Sequence, residues 1–131
     1  MNDHVISPAA ELLGREILSR DSATGEVSVR FTARKEFYNR SGIVHGGFIA
    51  AMLDSVTGIA VSPRVPEGSW AVTARLDTRF HKPAGAGPIY GRAHVVEADA
   101  RHVRIEGELK DEAGAVIATA TSEMRILRKR A

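Results

Sequence analysis

The sequence predicts an α+β protein in which a curved antiparallel sheet wraps around one long buried helix. Three observations predict it. Residues 48–61 are apolar on nearly every side, as in a helix enclosed by other elements. Segments that alternate apolar and polar side chains precede and follow that helix. The chain has 131 residues, which suits one core and leaves little room for a second, so residues 1–131 are read as one domain.

The elements follow in order. Residues 1–6 read as a loose start. Ser7-Pro8 is an N-cap followed by proline at the first helical position, Ala9, Ala10, Leu12 and Leu13 extend a short helix, and Gly14 stops it. In residues 26–33, Val27, Val29, Phe31 and Ala33 point one way, and Ser28, Arg30 and Thr32 the other; this is a half-buried strand. Residues 39–47 form a polar, glycine-rich loop. The helix carries Phe48, Ile49, Met52, Leu53, Val56, Ile59 and Ala60, and Pro63 and Pro66 end it. Trp70, Val72, Ala74, Leu76 and Phe80 recur at period two, so strict alternation puts Trp70, Val72, Ala74 and Leu76 on the helix side and turns Thr73 away. Strands at 89–98, 103–110 and 116–127 complete the pattern, with hairpin turns at 97–100 and 111–114. A single sheet leaves edges and one face uncovered, so at least a dimer is expected. The late strands would also fit a sandwich.

Composition narrows the function. Apolar residues make up 44% and charged residues 26%, the balance of a soluble globular protein. Eighteen basic residues oppose sixteen acidic ones, a net charge of +2, too small for a nucleic-acid surface. The cluster Arg128-Lys129-Arg130 reads as a solvated tail. Without cysteine there is no disulfide, thiolate metal site or cysteine nucleophile, which fits a reducing cytoplasm. No secretory pattern opens the chain, and no apolar run approaches the ~20 residues that span a bilayer. His4, His81, His94 and His102 lack ligand spacing, so neither a metal nor a cofactor is expected.

Residues 39–55 carry the chemistry. Gly46-Gly47 lie where loop becomes helix. Amides of a first helical turn lack intrahelical acceptors and sit at the positive end of the dipole, and glycine lets a carbonyl oxygen approach them. That is the logic of an oxyanion hole, although two glycines also make a tight turn. Asp54 lies within an otherwise apolar helix, where a carboxylate needs a catalytic or structural reason. Gly46 and Asp54 are eight positions apart, about 12 Å along the axis. One helix cannot readily serve one carbonyl with both. Two antiparallel helices across a dimer axis can, and symmetry then creates two identical sites. Asn39 adds an amide able to donate to a carbonyl oxygen or orient water.

Asn39, His45-Gly46-Gly47 and Asp54 form N-x5-H-G-G-x6-D. This pattern resembles the hotdog-fold thioesterases of the phenylacetic-acid-pathway type, near the 4-hydroxybenzoyl-CoA thioesterases. The resemblance runs from about residue 13 to residue 127 and includes Val72-Thr73 and Lys82-Pro83-Ala84. It implies a hotdog fold and hydrolysis of an acyl-CoA thioester to a carboxylic acid and free coenzyme A. It implies that Asn39 bonds the carbonyl region, that the Gly46 N–H polarises the carbonyl, and that Asp54 from the facing chain acts as nucleophile or general base. Thr73 falls where relatives carry a serine or threonine that helps position water, through a bulge or at the partner's face. His45 and Gly47 are counted among the substrate-binding residues, with His45 helping to shape the loop and the helix start. Lys82, Arg101 and Arg104 are candidates for the coenzyme A phosphates, and Leu12, Leu13, Phe48 and Met52 for the acyl pocket. Relatives usually pair dimers, so a homotetramer is expected. The rivals are a hotdog hydratase or dehydratase, whose different motif is not found, and a non-catalytic acyl-CoA-binding protein.

Overall fold

The computed structural model describes residues 6–128. Ser7 caps helix α1 (Pro8–Leu12): its hydroxyl accepts the Ala10 N–H at 3.2 Å, and Pro8 opens the helix. Gly14 then turns the chain at φ +62°, and a side chain there would stand 2.9 Å from Thr32 Cβ. Strand β1 (Glu16–Asp21) follows, where the sequence suggested no element. All six of its residues are exposed, so burial imposes no alternation by which to find it.

Strands β2 (Glu26–Ala33), β3 (Ser69–Phe80), β4 (Gly87–Ala98), β5 (His102–Lys110) and β6 (Val116–Arg128) join β1 in one sheet. Its order is β1-β2-β4-β5-β6-β3, antiparallel throughout. One sheet, rather than two, decides against the sandwich. Helix α2 (Gly46–Val61) lies across β2, β3, β4, β5 and β6, and the sheet curves round it in the hotdog arrangement. Met52, Leu53 and Val56 from the helix meet Phe31, Ile89, Ile105 and Leu109 from the sheet in a closed core. Full burial of each such side chain is worth about 1.5–3 kcal/mol. Small residues let the helix come close: a side chain on Gly107 would stand 3.0 Å from Thr57 Cγ2.

Three expectations change. First, β3 does not alternate regularly. A bulge between Thr73 and Arg75 adds Ala74, so Ala71 and Leu76 both pack on the core from opposite sides of the irregularity. Trp70 and Val72 lie outside, 44% and 36% exposed. Second, α2 is not covered all round: Gly47, Ala51 and Asp54 are exposed in the single chain. Third, Gly46–Arg64 is 19 residues long and apolar enough to cross a bilayer by length and composition. Its packing across five strands accounts for that character.

Candidate functional site

A small hairpin delivers the chain to α2. Tyr38 bridges Val44, the Asn39 N–H donates to Ile43 O at 2.8 Å, and the His45 N–H donates to Phe37 O at 2.8 Å. The Val44 N–H donates to Ala84 O at 2.9 Å and ties the hairpin to the segment after β3. His45 is the N-cap of α2: Nδ1 accepts the Gly47 N–H at 3.1 Å. The His45 carbonyl accepts from Phe48 at 2.9 Å and from Ile49 at 3.3 Å. Three of the first four helical amides are thereby occupied. The Gly46 N–H has no acceptor among the described residues and stands at the positive end of the helix dipole. The capping histidine thus leaves a single amide open. The exposed ring of Phe80 lies beside it, 3.5 Å from where a Gly46 side chain would begin.

Asn39 is exposed at the hairpin tip. Its Oδ1 accepts from the Ser41 N–H at 2.9 Å and the Ile43 N–H at 3.4 Å. With the oxygen spent on the loop, the amide NH2 is the end left to donate outward.

Asp54 is exposed two turns into α2, and its Oδ1 accepts from the Thr73 hydroxyl at 2.7 Å. Regular alternation turned Thr73 away; the actual phase of β3 ahead of the bulge brings it to the helix side. One carboxylate oxygen is held and the other remains available, so the group has a fixed orientation and a free lone pair.

The remaining candidates are dispersed. Lys82 pairs with Asp111 at 2.5 Å, and Arg104 with Glu97 at 2.9 Å. Lys82 follows the end of β3, where Phe80 opposes Ala118, whereas the Arg101 carbonyl accepts from the Ile126 N–H. Positions 118 and 126 are eight residues apart on β6, about 26 Å. Lys82 and the Arg101–Arg104 pair therefore occupy opposite ends of the sheet, with Gly46 at the Lys82 end. Leu13 and Met52 are closed off, 4% and 0% exposed. Phe48 is half-buried and stacks on Phe37 with centroids 4.2 Å apart; Leu12 is exposed. A hollow of about 760 Å³ lies on the outer sheet face between Asp77, Arg92, Glu106 and Thr121. Neither Asp54 nor Gly46 lines it. Among the described residues no cluster of three metal-ligating side chains occurs.

A family match covers residues 41–118, the span that holds Gly46, Asp54, Thr73 and Lys82, and its description is the thioesterase superfamily. The chain belongs to the thioesterase superfamily. A phenylacetic acid degradation-related protein of Ralstonia eutropha, described as a thioesterase, shares 33% identity and a TM-score of 0.88, covering 94% of this chain and 93% of that one. A Bacillus halodurans protein solved with CoA has a TM-score of 0.84 and 27% identity, with 95% and 82% covered. A Saccharolobus solfataricus protein named as an esterase is 31% identical over 104 residues, 79% of this chain and 74% of that protein. The hotdog fold and the phenylacetic-acid-type resemblance both hold.

Two residues of this thioesterase-superfamily chain escaped the sequence. Phe80 carries no local signal beyond its place in a strand, and its position beside Gly46 depends on the register of β3. Arg15 lies between α1 and β1. Its guanidinium donates to Ser55 Oγ at 3.0 Å, one residue from Asp54. An arginine after a glycine carries no local signal; only the course of β1 reveals its target.

Proposed function

We propose that the protein hydrolyses acyl-CoA thioesters at a site shared between two subunits, releasing a carboxylic acid and free coenzyme A. The observation that carries this reading is a division of labour along one helix. Gly46 keeps an open amide at the start of α2, and Asp54, held by Thr73, lies eight residues on, about 12 Å away. Each half suits thioester hydrolysis, and the two are too far apart to act on one carbonyl from one chain.

A second copy supplies the missing half. β3 is an edge strand with unpaired backbone groups, and α2 exposes the small residues Gly47 and Ala51 beside Asp54. Two helices laid antiparallel bring Gly46 of one protomer to Asp54 of the partner subunit. The same arrangement sets the Lys82 end of one sheet beside the Arg101–Arg104 end of the other, where coenzyme A phosphates would meet charge from both chains. The carbonyl oxygen rests on the Gly46 N–H and takes a second bond from the Asn39 amide. The facing Asp54 attacks the carbonyl carbon or takes a proton from an attacking water. The C–S bond breaks, the oxygen added to the acyl group derives from water, and the thiolate leaves as the free thiol. The relative solved with CoA supports a coenzyme A ester. Assembly of dimers into a homotetramer and action in the cytoplasm belong to the same proposal.

The first test is Asp54→Asn, with thiol release measured against acyl-CoA. Turnover falls by about 10³-fold or more while acyl-CoA binding persists; near-normal turnover refutes the role. The second test mixes inactive Asn39→Ala and Asp54→Ala chains and lets them exchange subunits. Half of the reassembled dimers then carry one intact site of two, so about a quarter of normal activity returns. Mixtures that remain dead place the whole site within one chain.

A further inference from the structure

Arg15 is a half-buried cation that the chemistry above leaves unused. Its guanidinium reaches across from the start of β1 to Ser55 on α2, donating to a neutral hydroxyl at 3.0 Å. No described carboxylate forms an ion pair with it. Burial, and then the positive charge of Arg20, hold its pKa below the ordinary arginine value. Arg20 itself bonds Ser62, seven residues beyond Ser55. Such a placement disfavours the cation unless an anion joins it.

The position is also rigid. The Gly14 N–H donates to Glu11 O at 3.0 Å, the Arg15 N–H to Ala10 O at 3.0 Å, and the Thr32 N–H to Leu13 O at 2.9 Å. These bonds lock the end of α1 onto β2, so the root of the side chain is fixed before any ligand arrives. Ser55 directly follows Asp54, so the guanidinium lies on the order of 10 Å from the Asp54 carboxylate. Ser55 shares its helix face with Phe48 and Ala51 at helical spacing.

We propose that Arg15 reads the far end of the acyl group, selecting acyl chains that end in an anionic oxygen group, a carboxylate above all, over plain alkyl chains. This rests on the thioesterase reading. The carboxylate is favoured over a coenzyme A phosphate because Arg15 stands beside Asp54, where the thioester carbon reacts, and the phosphates lie at the distant end of the pantetheine arm.

The test compares succinyl and butyryl thioesters, each as the coenzyme A ester and as the N-acetylcysteamine ester, which lacks phosphates. Wild type, Arg15→Gln and Arg15→Lys are assayed for kcat and KM, and their folding is checked by thermal unfolding. In wild type the ratio of succinyl to butyryl kcat/KM exceeds one for both thiol carriers. In Arg15→Gln the ratio falls at least tenfold, mainly through a higher KM for succinyl esters, and Arg15→Lys restores part of it. An unchanged ratio overturns the proposal, as does a loss confined to the coenzyme A esters, which would assign Arg15 to a phosphate. Calorimetric binding of non-hydrolysable succinyl and butyryl thioethers reads the same selectivity without turnover. If wild type cleaves neither these esters nor aromatic and medium-chain acyl-CoA, the thioesterase reading fails; equal binding of the two thioethers refutes the Arg15 proposal separately.

Discussion

Strands β5 and β3 lie in one sheet and face the same helix, yet they are built differently. β5 alternates buried and exposed residues along its length, with Val103, Ile105 and Leu109 closed into the core. β3 is longer, mostly exposed, and broken by the bulge at Ala74. The regular strand makes the core, whereas the irregular one carries Thr73 to Asp54 and Phe80 to Gly46. An interior strand is held by neighbours on both sides, so any change of phase would bury polar groups. An edge strand has one free side, can absorb an extra residue, and can aim side chains that the alternation would point elsewhere.

The contrast can be broken from the β5 side first. Gly107→Val forces a branched side chain against Thr57, whose methyl already lies 3.0 Å from the position of a Cβ. The expected cost is about 2–3 kcal/mol, a fall in Tm of roughly 5–12 °C. Turnover per folded molecule should survive; a stable variant with lost turnover would mean that β5 serves the chemistry.

Thr73→Val reverses the signature. It removes the bond to Asp54 at an exposed edge, so thermal unfolding should move little while kcat falls about 10–100-fold. A variant with full turnover would show that the bulge aims nothing of consequence. Thr73→Ser keeps the hydroxyl and should retain most of the rate.

The smallest effect lies at the β5–β6 turn. The Lys82 ammonium, and then the Ala115 N–H, hold the Asp111 carboxyl below the ordinary aspartate value of 3.8. A depressed folded value stabilises the fold above the unfolded value and loses that contribution as pH falls through the folded one. Wild type should therefore melt above Asp111→Asn at about pH 6, with the gap closing below about pH 3.8. A gap independent of pH would assign the effect to turn geometry instead.

Much of this was legible in the residues. The bounds of β2 and the capped start of α1 follow from local patterning, because caps and two-residue periods are written within a few positions. The spacing of Gly46 and Asp54 could be measured from sequence because a helix has a fixed rise. β1 was not legible, since an exposed edge strand needs no alternation. The phase of β3 is not legible either, because one inserted residue reverses every side chain beyond it and no residue type announces a bulge.

The sequence by itself determined the α+β class, the central helix, and the asparagine, histidine, glycine and aspartate pattern. Those depend on neighbours along the chain. Only the tertiary structure decided that Thr73 holds Asp54 and that Arg15 reaches Ser55. These contacts join residues 19 and 40 positions apart. Register and packing between elements set such meetings, and neither is encoded in any short stretch of residues.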